Sequence, residues 1–432
     1  MKKHLLFLLG FLFPALLFAQ TKHVVIVTID GFRPDFYLDE GWNAPNLKAM
    51  VQEGFHAGGV NSVFPSMTYP SHTTIVTGVQ PAKHGIYYND MFVADTLKKA
   101  MYWNYSSIKT PTLWKAVHDR GGKVASLFWP VSAEAPVDYN IPDNGSMGEE
   151  NRVAYTRPAG FIDDLKKNVF WDTAKIDYGT DHEVAKIAAY VIEKDEPELM
   201  TVHFFSVDHF QHMHGRENDT VRAAVSDADQ GVSIIREALR KKSIEKNTLL
   251  IVTGDHGFVD LKSRLQPNVW LREAGLITDL NTGNWKARFF SVGGSSYLYL
   301  KNRSDKASLK KVEQILAQQP DSVKKLFRII DRKKLNEIGG DPEVELALSG
   351  ENNASFGNGD EGAAIVPAKG GAHGYFPDFK NIRTGFIAVG SGVKKGGSVA
   401  EMNERDINAI AAKALGLHFP TEGKVPANLF VP

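Results

Sequence analysis

Three aspartates in this chain share one local setting. Asp30 closes the apolar run 23–29, Asp208 follows the run 200–207, and Asp255 follows the run 248–253 after Gly254. In open α/β sheets, ligands bind outside the carboxyl ends of the strands, so such positions deliver carboxylates to a site. One strand-terminal Asp is most simply a turn former. Three at equivalent places, two with histidines beside them, exceed what turns explain. Asp208 and His212 are four apart, and a helical turn puts them on one face. His209 and His214 are then left to face solvent. Asp255 and His256 are adjacent, so they suit one metal only on a turn, for which the flanking Gly254 and Gly257 are expected to supply the freedom. A further histidine, His373, sits in the glycine frame GGAHG.

Asp30, Asp208, His212, Asp255, His256 and His373 form a sulfur-free ligand set, which suits zinc and, less well, manganese. The set is too large for one tetrahedral ion and fits two. A pair of metals is the arrangement that stabilises both the attacking and the leaving oxygen in phosphoryl transfer. A nucleophile is then expected nearby. The hydroxyl-rich segment FPSMTYPSHTTIVTG, residues 64–78, places Pro70 in the first turn of a helix. Free N–H groups at that terminus favour phosphate. A hydroxyl held there against a metal is an activated nucleophile. Spacing leaves Ser66, Thr68, Ser71 and Thr73 equally placed.

The elements that must hold these groups read as an α/β alternation. The runs 23–29, 123–129, 200–207, 248–253 and 383–389 are continuous and β-branched, as parallel strands covered on both faces are. Helical patterns lie between them at 44–53, 110–119 (Pro111 at its first position), 181–194 and 219–242. This predicts a mostly parallel central sheet with helices on both faces. The stretch 262–367 differs: a strand at 295–300, an amphipathic helix at 304–317, a short strand at 327–331 and a Gly/Asn/Ser-rich loop at 349–362 read as a small α+β insertion. The rest of 21–432 is expected to be a single catalytic domain.

The chain has 432 residues, and 50 Lys+Arg balance 50 Asp+Glu. That balance argues against duplex nucleic-acid binding and against a polybasic membrane surface. With no cysteine, disulfide frameworks, thiolate metal sites and cysteine nucleophiles are excluded. Residues 1–20, MKKHLLFLLGFLFPALLFAQ, carry a positive start, a short apolar run and a small-residue junction at Ala19-Gln20. They read as a cleaved signal peptide, too short for a membrane span. No later segment is long and apolar enough to cross a bilayer. The mature protein is expected to be exported and soluble, most simply in a bacterial periplasm, with secretion or a cell-surface location as alternatives. The oligomeric state is not legible.

The ordered set IDGFRPD, FPSMTYPSHTTIVTG, PAKHGIYYND, FWP, DHFQHMHG, TGDHG and GAHGY spans residues 24 to 375. It resembles the nucleotide pyrophosphatase/phosphodiesterase family of the alkaline phosphatase superfamily. The resemblance implies an alkaline-phosphatase-like core and hydrolysis of phosphodiester or pyrophosphate bonds, with nucleotide-type substrates favoured. It also implies roles. Thr68 matches the nucleophilic threonine. Asp30, Asp255 and His256 would hold the zinc that activates it. Asp208, His212 and His373 would hold the zinc that serves water and the departing product. Asn89, with the Thr68 backbone N–H, would bind a non-bridging phosphate oxygen.

Two departures stand beside the nucleophile. Met67 occupies a position often basic in animal relatives, and Tyr69 replaces a Phe. Tyr69 is either a stacking face for a nucleobase or a packing residue. The cysteine-rich extra domains of animal relatives are absent, and so is any motif for a formylglycine sulfatase. Monoesterases of the superfamily grip the dianionic phosphate with Arg or Lys. No Lys or Arg lies between Lys123 and Arg152, where five acidic residues do, so a diester is favoured. Arg33 and Arg216 are the cations left to approach the site. The alternatives are a phosphomonoesterase, a glycerophosphodiester or phosphocholine hydrolase and, least of all, a non-enzymatic binding protein.

Overall fold

The apolar runs form strands whose side chains alternate between two covered faces. In a computed structural model, residues 21–95, 100–143, 148–173, 175–176 and 178–431 are described. The expected signal peptide lies outside them. The central sheet comprises β1 (His23–Ile29), β2 (Phe55–Ala57), β3 (Val124–Leu127), β4 (Tyr139–Ile141), β5 (Leu199–Phe204), β6 (Thr248–Thr253), β7 (Phe386–Gly390) and β8 (Gly397–Val399). Their spatial order is β8-β2-β7-β6-β1-β5-β3-β4. Val25, Val27 and Ile29 of β1 enter one core with the helices Pro45–Glu53, Asp181–Asp195 and Asp219–Lys241. Val24 and Ile26 enter the other with Thr68–Thr77, Leu113–Asp119 and Glu404–Ala414. Helices therefore cover both faces of a mostly parallel sheet, as expected.

One strand corrects that expectation. The run 383–389 was read with the parallel strands, but β7 pairs antiparallel with both β6 and β2. The reason is positional. The preceding loop carries His373 and already stands at the carboxyl edge, so the next strand must run back from there. Two smaller corrections concern local chemistry. Pro111 does not open its helix; Thr112 is the N-cap, accepting from Lys115 N–H, and the helix is Leu113–Asp119. The 349–362 segment is not all loop, because Ala354–Phe356 pairs parallel with Ser263–Leu265. A second sheet, antiparallel throughout, pairs Ala287–Val292, Ser295–Leu300, Leu346–Gly350 and Phe327–Ile330 in that order. It packs a core of its own with the helix Lys306–Ala317.

Register places the site. Ile29 lies opposite Phe204, and Thr28 opposite Thr253. The three central strands therefore end at one level, and their aspartates emerge along one edge.

Candidate active site

The carboxyl edge gathers the six predicted ligands into two groups. Asp30, Asp255 and His256 form one, fully buried; Asp208, His212 and His373 form the other, open on its His212 side. Within each, one ligand atom per residue lies within 4.8 Å of the others. The groups adjoin: the rings of His256 and His373 stack with centroids 3.7 Å apart. Asp208 and His212 share a face of the helix α1 (Ser206–His214), as their spacing predicted. His209 and His214 are exposed and lie outside both groups.

Backbone geometry at the edge is set by glycine. Gly31, after Asp30, holds φ +70°, which a side chain resists. Gly254 and Gly257 do not have positive φ, contrary to the turn argument. They are needed for clearance: a Cβ at Gly254 would meet Thr384 and Phe32, and one at Gly257 the carbonyls of Asn381 and Arg383.

The hydrogen bonds show what the two groups can bind. His256 Nδ1 donates to Gly257 O (3.2 Å), His212 Nδ1 to Gly371 O (3.1 Å) and His373 Nδ1 to Ser66 O (3.1 Å). Each Nε2 then carries a lone pair. His256 Nε2 faces Asp30 Oδ1 at 3.3 Å and Asp255 Oδ2 at 3.2 Å. His212 and His373 face Asp208 Oδ1 at 3.4 and 3.7 Å. Those three carboxylate oxygens are buried and have no hydrogen-bond partner among the described residues. Lone pairs aimed at orphaned carboxylate oxygens repel one another, and a cation between them removes the conflict. The residues thus fit a divalent metal in each group.

Ionisation runs the same way. Burial, reinforced by Asp208 and Asp255, pushes the Asp30 carboxyl well above its usual range, and burial pushes Asp255 up to about 7. Burial, with the neighbouring His373 and His212, holds His256 well below the usual imidazole value, and burial brings His373 down to about 4. Neutral rings are what a metal requires, and a cation offsets the repulsion among the acids.

The remaining oxygens of the acids are occupied. Asp255 Oδ1 accepts from the backbone N–H groups of Gly31 and His256, both at 3.0 Å. Asp30 Oδ2 lies 3.1 Å from His203 Nε2, while His203 Nδ1 donates to Phe128 O at 3.1 Å. Sequence reading missed His203, because it sits inside the apolar run that becomes β5. The only signal was one titratable residue in MTVHFF.

Geometry separates the four candidate hydroxyls. Helix Thr68–Thr77 begins at Thr68, whose Oγ1 lies 3.5 Å from His256 Nε2. The other hydroxyls are committed elsewhere: Ser66 to Tyr375 O, Ser71 to Ser62, and Thr73 to Tyr69 O. Asn89 Oδ1 accepts from Tyr69 N–H at 2.9 Å, which leaves its NH2 end to donate. Tyr69 is 2% exposed, and its hydroxyl donates to Asp143. It lines a cavity while packing against Ile86 and Val131.

Two cavities meet at this centre, sharing Asn89 and His212. One, of about 380 Å³, runs past Thr68 to Phe128, Tyr178 and Phe205. Arg152 stands in its lining, with its guanidinium over the Tyr178 ring and 3.0 Å from Glu149. The cation-free window in the sequence stopped one residue short of it. Arg33 and Arg216 do not reach the site. Arg33 is buried against Asp35, Gln211 and the Arg216 carbonyl, and Arg216 bonds the carbonyls of Phe258 and Asn381. The other cavity, of about 460 Å³, is bounded by Met67, His212, His373 and the second sheet.

Comparison with known proteins bears on the family and the fold. A family model described as type I phosphodiesterase / nucleotide pyrophosphatase matches residues 24–375. The rat ectonucleotide pyrophosphatase/phosphodiesterase family member 7 is 24% identical over 92% of this chain and 84% of its own. A pyrophosphatase/phosphodiesterase of Schizosaccharomyces pombe is 26% identical over 91% and 77%. Murine ectonucleotide pyrophosphatase/phosphodiesterase 5 superposes with a TM-score of 0.67 at 20% identity, covering 93% of this chain and 97% of that one. An inactive form of that murine protein has been solved in complex with AMP, with a TM-score of 0.66.

Proposed function

The chain belongs to the type I phosphodiesterase / nucleotide pyrophosphatase family, and from that premise we propose that it is a two-zinc hydrolase cleaving nucleotide-type phosphodiester or pyrophosphate bonds through a phospho-threonine. Hydrolysis of phosphodiester or pyrophosphate bonds is the activity of its family; the metal, the intermediate and the substrate are our reading. The observation that carries it is the convergence of three orphaned carboxylate oxygens and three imidazole Nε2 atoms beside the hydroxyl that begins a helix.

In this mechanism, Asp30, Asp255 and His256 would hold one zinc and Asp208, His212 and His373 the other, and the metals would supply electrostatic stabilisation of the charge that develops on the reacting oxygens. Thr68 Oγ1 attacks phosphorus as the bond to the leaving oxygen breaks, and the proton that Oγ1 gives up to solvent is balanced by the one the departing oxygen takes from it. The Asn89 NH2 group and the N-terminal amide of the Thr68 helix donate to a non-bridging oxygen, where the helix dipole also favours negative charge. Water then displaces Thr68, releasing the phosphorylated product and restoring the hydroxyl. No side chain serves as a general base, because the acids and imidazoles within reach act as ligands. The aromatic cavity at Phe128, Tyr178 and Phe205 suits a nucleoside, in keeping with the AMP bound by the murine neighbour. Residues 21–432 act as one catalytic domain, with 262–367 as an insertion. The protein is exported, most simply to a periplasm; no helix among the described residues is long and apolar enough to cross a membrane.

The test is a paired rate comparison on the purified protein, using the nitrophenyl ester of a nucleoside 5′-monophosphate and nitrophenyl phosphate. A strong preference for the diester, lost with chelator and restored by zinc, is expected. A preference for the monoester would replace this reading with a phosphatase. That outcome would make Arg152, despite its Glu149 partner, the grip on the dianion.

A further inference from the structure

The larger of the two cavities ends at a charge that the mechanism does not use. Arg288 lies on the strand Ala287–Val292, and the two-residue period points Arg288, Phe290 and Val292 into the cavity lining. Arg288 is 3% exposed. One guanidinium nitrogen donates to Val93 O at 3.3 Å, and the group sits 5.3 Å from the Phe92 ring centroid. Its Nε is buried with no partner, and no carboxylate among the described residues lies within ion-pair distance of it. The nearby acids are otherwise engaged: Asp95 pairs with Lys301, Asp360 with Arg272, and Asp90, also in the lining, has an interaction of its own. The Asp360 carboxylate acts on Arg288 only from beyond ion-pair distance, and a buried guanidinium without an ion-pair partner is costly unless something supplies one. The same cavity is walled by Asn89, His212 and His373, which belong to the phosphate site.

We propose that this cavity is a second substrate arm, in which Arg288 pairs with an additional anionic group carried by the substrate beyond the scissile phosphorus. The proposal rests on the phosphodiesterase reading of the centre and narrows its substrate class. The preferred diester has a flat or apolar group toward Phe128, Tyr178 and Phe205, and a phosphate or carboxylate toward Arg288. The planar, always-charged fork of Arg suits either oxyanion. Arg288 is thus a specificity residue; the bond-breaking step does not pass through it.

The experiment uses nitrophenyl diesters of constant leaving group whose second alcohol ends in a methyl, a carboxylate, a phosphate or a trimethylammonium, on short and longer alkyl tethers. In the metal-loaded wild type, kcat/KM is expected to favour one of the anionic termini over methyl by about ten- to a hundred-fold, with the trimethylammonium ester poorest. The phosphate and carboxylate arms separate the two sources of the anion. In Arg288→Met the anion-to-methyl ratio is expected to fall to about one, chiefly through KM, and Arg288→Lys to recover part of it. Metal content and melting temperature are measured in parallel. Should Arg288→Met fail to fold, the wild-type series decides alone, together with competitive inhibition by alkyl bisphosphonates against neutral analogues. A wild type that cleaves all four esters without preference for an anion, or a preference that survives Arg288→Met, overturns the proposal while leaving the phosphodiesterase reading intact. A wild type that cleaves none of them overturns both.

Discussion

Replacing His203 with Leu should weaken the buried metal group without touching a ligand. His203 is 3% exposed and spans Asp30 Oδ2 and Phe128 O, both at 3.1 Å. Leu has nearly the same volume, so the packing loss is small. What disappears is the ring that stands against one carboxylate oxygen and donates to one buried carbonyl. Leaving such an acceptor unsatisfied costs about 1–3 kcal/mol. Removing the outer partner of a metal ligand lowers metal affinity by about 10–100-fold, which is about 1.4–2.8 kcal/mol. The two routes agree, so the expected effect is one to two decades in affinity. Titration against a competing chelator should show weaker binding of one of the two metals. Activity should recover largely at excess zinc, because every ligand is still present. His203→Gln, which keeps a polar group between Asp30 and the Phe128 carbonyl, should lie between the two. A Leu variant that binds both metals as tightly as wild type, with unchanged turnover, would refute the argument that His203 orients Asp30.

Three further outcomes follow from the same geometry. Thr68→Ala should lower turnover about a thousandfold or more with metal content and fold retained; near-normal activity would remove Thr68 as nucleophile. Asp255→Asn keeps an oxygen for the Gly31 and His256 amides but loses a negative ligand, so both metal content and rate should drop, and a fully metallated, fully active variant would contradict the ligand role. Away from the metals, burial brings His84 down to about 3, and it is bonded to Thr74 and to Ile86 N–H. Its folded pKa lies below the unfolded value near 6.5. The unfolded chain therefore takes the proton first, and stability is lost as pH falls from about 6.5 toward 3. By pH 5 that loss reaches about 2 kcal/mol. Denaturant titrations of wild type and His84→Asn should converge by about that amount on acidification, and parallel pH profiles would show that His84 carries no such linkage.

The candidate ligand set was legible because each member obeys a local rule. A strand that ends in Asp, an Asp and a His four apart on a helix, and a His in a glycine frame are all written within a few consecutive residues. The central strands were legible for the same reason. What escaped has a non-local cause in every case. His203 is hidden in an apolar run, and its partners are 173 and 75 residues away. The packing of Tyr69 against Ile86 and Val131, with its hydroxyl on Asp143, joins segments far apart in the chain. Arg152 and Arg288 look like ordinary surface cations in sequence, and only the tertiary structure puts them in cavity walls. The direction of β7 followed from where the chain had been left by the His373 loop, which no strand propensity records.

By itself, then, the sequence determined the chemistry: sulfur-free ligands, a hydroxyl at a helix start, and carboxylates at strand ends. The tertiary structure decided their assembly. Parallel pairing of β1 with β5 and β6 sets Ile29 beside Phe204 and Thr28 beside Thr253. That register, fixed by burial on both faces, brings Asp30, Asp208 and Asp255 to one level although they are up to 225 residues apart in the chain. Electrostatics alone would drive three carboxylates apart. Burial of the apolar strands beneath them holds them together, and the repulsion held there is what a bound cation relieves.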